Sequence, residues 1–105
     1  PLRLLWLEQS MTRQLAAGDA SAAAANYRDA AKILDGQPES VNGFALHWLG
    51  AQAAASLGDE AGAAVARARA TEALRKFRGG LRKDLLVHFN AAPSVRAFEG
   101  ADHGP

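Results

Sequence analysis

The side chains best suited to proton transfer or metal ligation are three histidines, His47, His88 and His103, and the chain has no cysteine to join them. A helical metal site needs two or more ligands on one face, three or four residues apart. No imidazole has a second imidazole at that spacing. His88 lies four residues after Asp84, which suits a helix-surface pair better than a ligand set. No serine or threonine sits in a nucleophile elbow, and Gly79-Gly80 lacks the surrounding phosphate-loop pattern. The expectation is no catalytic residue, no metal, no cofactor and no enzyme activity within this chain.

The second grouping is cationic. Residues 1–66 carry four basic and seven acidic side chains, whereas residues 67–105 carry eight basic and four acidic ones. At about 100° per residue, a helix places Arg67, Thr71, Arg75 and Arg78 on one face within roughly a quarter turn. Arg82 continues the run past Gly79-Gly80. A stripe of this kind can meet phosphates or an acidic partner. A solvated face is favoured, because no exposed aromatics interleave the cations and the net charge is only +1. Arg75, Lys76 and Arg78 would also suit the negative end of a helix dipole. Nucleic acid is therefore the alternative partner.

These side chains must be placed by helices. Alanine, leucine and arginine dominate and β-branched residues are few, so the expected class is all-α. Leu4, Leu7, Met11 and Leu15 mark the stripe of a first helix ending at about Ala17, with Gly18 as its left-handed stop. Asp19 caps a second helix to about Leu34, with Ala23, Tyr27, Ala30, Ala31 and Leu34 on its apolar face. Asp35-Gly36-Gln37-Pro38 ends it, Gly36 taking the left-handed conformation and Pro38 barring continuation. Glu39 or Ser40 opens a third helix with Phe44, Trp48 and Leu49, closed by Leu57-Gly58. Asp59 caps a fourth, with Ala63, Ala66, Ala70, Leu74 and Phe77 as its stripe, ending at Gly79-Gly80.

A shift of 40 residues lays Gly18-Asp19 on Gly58-Asp59, Ala23-Ala24 on Ala63-Ala64, Ala30 on Ala70 and Leu34 on Leu74. Two helix hairpins of like pattern are the mark of an α-solenoid. With Gly-Asp at each turn, Ala23, Tyr27 and Ala30 in one hairpin and Ala63 and Ala70 in the other, residues 4–78 resemble tetratricopeptide repeats. The chain departs from that family where Arg67 stands in the place of Tyr27, and its spacing exceeds the usual figure of about 34 residues. The resemblance implies stacked antiparallel hairpins over residues 1–80. It also implies a concave groove lined by the first helix of each hairpin, with Glu8 and Thr12 from one and Trp48 and Gln52 from the other. The lysines and asparagines of a peptide-carboxylate clamp have no counterparts.

Leu81-Arg82-Lys83-Asp84-Leu85-Leu86, followed by Pro93 to Phe98, resembles the closing segment of repeat arrays in bacterial signalling ATPases and transcription regulators. It implies a capping helix and stub over residues 81–100, in which Leu81, Leu85 and Phe89 cover the last hairpin, and a frayed tail from 101 to 105. Leu2, Leu5 and Trp6 widen the first helix's apolar surface beyond what one neighbour covers, so a preceding helix or another subunit is expected there. Since Pro1 runs straight into the helical pattern, the chain is expected to be part of a longer, cytoplasmic protein. The leading function is a non-catalytic interaction or sensory scaffold whose partner is a protein or peptide, another domain of its own chain, or a copy of itself. A regulatory subunit packed on an enzyme is the remaining alternative, and a membrane partner is not expected.

Overall fold

Gly18 and Gly58 are the residues with positive φ among those described, at 81° and 78°. A side chain is disfavoured in that left-handed geometry and glycine is not, so each Gly-Asp pair turns the chain sharply. The computed structural model describes residues 2–36, 43–79, 90 and 93–102. Among the described residues are five helices and no strand: α1 (Leu2–Ala16), α2 (Ala20–Gly36), α3 (Gly43–Ser56), α4 (Glu60–Gly79) and α5 (Pro93–Asp102).

The two turns are made in the same way. The Gly18 N–H donates to the Leu15 carbonyl at 3.1 Å and the Asp19 N–H to that of Gln14 at 2.8 Å. Forty residues on, Gly58 donates to Ala55 at 3.1 Å and Asp59 to Ala54 at 2.9 Å. Both satisfy orphan carbonyls of the helix just ended, as a Schellman motif does. Each aspartate then caps the next helix, Asp19 Oδ1 accepting from the Ala22 N–H at 3.2 Å and Asp59 Oδ1 from that of Gly62 at 3.0 Å.

The helices pack α1 on α2, α2 on α3 and α3 on α4, and α1 also touches α3. Leu4, Leu7 and Met11 of α1, Ala23, Ala30 and Leu34 of α2, and Leu46 and Ala53 of α3 form one buried cluster. The small residues let the backbones approach closely, and burying each large aliphatic side chain contributes about 1.5–3 kcal/mol. A second cluster joins Phe44 of α3, Ala70 and Leu74 of α4, and Val95 and Phe98 of α5. Of the stripe expected on α4, Ala66, Ala70 and Leu74 are buried, while Ala63 and Phe77 are half-buried.

The structure corrects several expectations. Helix α1 begins at Leu2, two residues earlier than the apolar stripe suggested. Gly36 is the last residue of α2 and does not have positive φ, so it does not stop the helix by a left-handed turn. The expected linker from Gln37 and the start of a helix at Glu39 or Ser40 lie outside the described residues, as do Leu81, Leu85 and Phe89 of the expected cap. Beyond them, Pro93–Asp102 is a helix in place of the stub, and it runs two residues into the segment expected to fray. Proline suits a first helical turn, where its missing N–H leaves no partner unsatisfied. Val95 and Phe98, three residues apart and both buried, are what hold α5 against α3 and α4. Arg78 reinforces this attachment, its Nη2 donating to Glu99 Oε1 at 2.8 Å and its Nε to Asn90 Oδ1 at 2.7 Å.

Candidate functional site

The most chemically varied cluster lies where α2 ends, α3 begins and α4 passes its midpoint. A cleft of about 240 Å³ opens there, lined by Leu34, Asp35, Gly43, His47, Arg69, Glu72, Ala73 and Lys76. His47 is 8 % exposed, and its Nδ1 lies 2.7 Å from the Tyr27 hydroxyl of α2. The two rings meet edge to face, 5.7 Å between centroids and 79° between planes. Helix α3 admits the tyrosine because position 50 is glycine: a Cβ there would sit 2.5 Å from ring carbons of Tyr27. Burial is the first cause holding the His47 pKa down at about 4, and the charge of Arg69 is the second. Burial pushes the Tyr27 pKa up, against the opposing charge of the same Arg69.

Sequence reasoning treated His47 as an isolated imidazole, because it looked for partners at helical spacing along one chain segment. Tyr27 and Arg69 come from the helices on either side, 20 and 22 residues away in sequence. No periodic signal links such residues. The conversion of Ala-rich helix to Gly50 beneath an aromatic is the nearest hint.

The four groove residues fall at matching places in their helices, Glu8 with Trp48 and Thr12 with Gln52, each pair 40 apart. Thr12 is exposed, and its hydroxyl donates to the Glu8 carbonyl of its own helix at 2.8 Å; Glu8 and Gln52 are half-buried. Trp48 belongs to the second core cluster. Its ring meets that of Phe98 edge to face at 5.1 Å, and the Arg67 guanidinium stands 5.9 Å from its centroid. Helix α5 thus covers part of the surface on which Trp48 was expected to receive a partner.

The basic stripe is divided among separate partners. Arg67 lies by Trp48, Arg78 holds α5 through Glu99, and Arg75 grips Glu72 with Nε to Oε2 at 3.0 Å and Nη2 to Oε1 at 2.6 Å. That bond holds the Glu72 carboxyl below its ordinary range. Arg82 lies outside the described residues.

Helix α1 exposes Leu2, Leu5 and Trp6 on its outer face, by 82, 43 and 52 %. Arg3 sits 5.4 Å from the centroid of Trp6 and 3.8 Å from Asp29. Among the described residues, no group of three His, Asp or Glu could hold a metal ion, and no helix is long and apolar enough to cross a membrane. Compared with protein-family models, curated proteins and solved structures, the chain matches none.

Proposed function

We propose that the chain is a non-catalytic protein–protein interaction module built of stacked, tetratricopeptide-like hairpins, and that it holds its partner on the outer face of α1. One observation carries this reading. Trp6 of α1 and Leu46 of α3 occupy equivalent places in the 40-residue register, yet Trp6 is 52 % exposed and Leu46 is fully buried. Leu46 is buried because it packs in the same cluster as Leu4, Leu7 and Met11 of the first hairpin. The first hairpin covers α3 on that side, and a helical protein surface of similar make would cover α1. The flanking Arg3 and Asp29 give such a surface a polar rim. A scaffold role in a signalling or regulatory protein, in the cytoplasm of a bacterium, fits this arrangement. Nucleic-acid binding is less well supported, because Arg67, Arg75 and Arg78 already have partners of their own.

The test is a photo-reactive phenylalanine analogue placed at position 6 of the full-length protein in its native cells, with the exposed position 61 of α4 as the control. The expected result is a discrete protein adduct at 6, abolished by Leu5→Glu, and none at 61. Equal labelling at both positions would overturn the reading. A copy of the chain as partner would show in sedimentation as a dimer that Trp6→Glu converts to monomer.

A further inference from the structure

We propose that the cleft at Asp35, His47, Arg69 and Lys76 is a binding site for a small oxyanion, received by the Arg69 guanidinium, the Lys76 ammonium and the Nε2–H of His47. It is separate from the outer face of α1 and does not depend on that reading. The inference starts from proton positions. The Tyr27 hydroxyl has one proton, and the acceptor at hand is His47 Nδ1, 2.7 Å away. The charge of Arg69 also acts on that hydroxyl, and a guanidinium has only donors, so it offers the phenol proton no acceptor. The phenol proton is left to His47. Nδ1 is therefore the accepting nitrogen, and the ring's own proton sits on Nε2.

The imidazole is thereby fixed as a neutral donor, held edge-on by the tyrosine ring and facing the cleft. The ring's bond to Tyr27 is made at Nδ1, and since no buried side-chain nitrogen or oxygen among the described residues lacks a partner, Nε2 is open to solvent and so accessible to a ligand. Three kinds of N–H donor then converge on one cavity, and the ligand that suits them is an acceptor with negative charge. The acidic groups on the rim set the balance. Both oxygens of Glu72 are taken by Arg75, which leaves Asp35 opposite Arg69 and Lys76, an excess of one positive charge. Leu34 and Ala73 provide an apolar wall, and the cavity is larger than a phosphate or carboxylate group alone. A small organic body carrying the oxyanion has room beside it.

The test uses the full chain labelled with 15N-histidine, whose long-range spectra distinguish the tautomers. Sodium phosphate and sodium acetate are titrated separately at constant ionic strength. The expected result is an Nε2–H tautomer and a saturable shift of the His47 resonance. Arg69→Gln and Lys76→Gln each weaken binding by about tenfold, as the loss of one charge-assisted bond implies, while Arg28→Gln on the outside of α2 changes nothing. Saturation by phosphate alone assigns phosphoryl ligands, by acetate alone carboxylates, and by both a general oxyanion site. Because the charge of Arg69 also acts on Tyr27 and His47, the Lys76→Gln variant keeps the test independent of any change around that pair. An Nδ1–H tautomer, no saturation by either anion, or equal weakening by Arg28→Gln would each overturn the proposal.

Discussion

The first hairpin, α1 and α2, and the second, α3 and α4, share a local design and differ in what surrounds them. Both turns carry the same two backbone bonds and the same aspartate cap. The likeness extends into the helices: Leu4, Leu7, Ser10 and Met11 are buried in α1, and their counterparts Phe44, His47, Gly50 and Ala51 are buried in α3. Helix α3 additionally buries Leu46 and Ala53 against the first hairpin, a side that α1 presents to solvent. The short-range code of turn and stripe is written twice, while exposure is decided by which helices lie alongside. Among the described residues α5 is laid across the second hairpin, so Trp48 is partly covered by Phe98 where Trp6 remains open.

The largest difference lies in the Leu7 and His47 pair, where the second hairpin buries a titratable group and the first an aliphatic one. The folded His47 has its pKa lowered from 6.5 to about 4, so the unfolded chain binds the proton more readily. The stabilisation is complete above pH 6.5 and is lost as pH falls towards 4, a change of up to about 3 kcal/mol at 1.36 kcal/mol per pKa unit. Urea unfolding between pH 7 and 4 should show this fall, and Tyr27→Phe with His47→Leu should remove that share of it. An unchanged pH slope in the double variant would mean that other groups, chiefly carboxylates, account for the acid sensitivity.

Gly50→Ala probes the same contact from the other side. The added methyl collides with the Tyr27 ring, which must move and surrender its bond to His47. Overpacking of this kind costs about 1–3 kcal/mol, here towards the upper end because a hydrogen bond goes with it. Thermal unfolding should register the loss, and the histidine resonance should lose its Nε2–H signature. A stable variant with the tautomer intact would show that α2 and α3 are not held by this pair.

Much of this fold was legible in the sequence because the information was local. Gly18, Gly58, Asp19 and Asp59 act within five residues of themselves, and the stripes Leu4–Leu7–Met11 and Ala30–Leu34 follow helical period directly. Other features required knowledge of which helix lies beside which. Arg67, Arg75 and Arg78 share a helix face, but their partners Trp48 and Glu99 come from α3 and α5, so a stripe on paper became three separate contacts. Gly36 illustrates a second limit: a glycine permits the left-handed turn but does not impose it, and here it is itself the last residue of α2 without positive φ. Tyr27, His47 and Arg69 were each visible, but only the packing of three helices makes them a set.

The smallest predicted effect is the sharpest check on the likeness of the hairpins. Gly18→Ala and Gly58→Ala each place a methyl on a residue at φ near 80° with nothing within 4 Å of it. Packing is therefore not disturbed at either site, and the cost is backbone strain alone, about 1 kcal/mol for a non-glycine residue in the left-handed region. The two variants should lose the same stability within the error of a denaturation curve, and the double variant should lose their sum, because the turns belong to different hairpins and share no partner. A markedly larger loss at Gly58 would mean that the second turn is also constrained by what packs around α3 and α4. The likeness of the two turns would then stop at their hydrogen bonds.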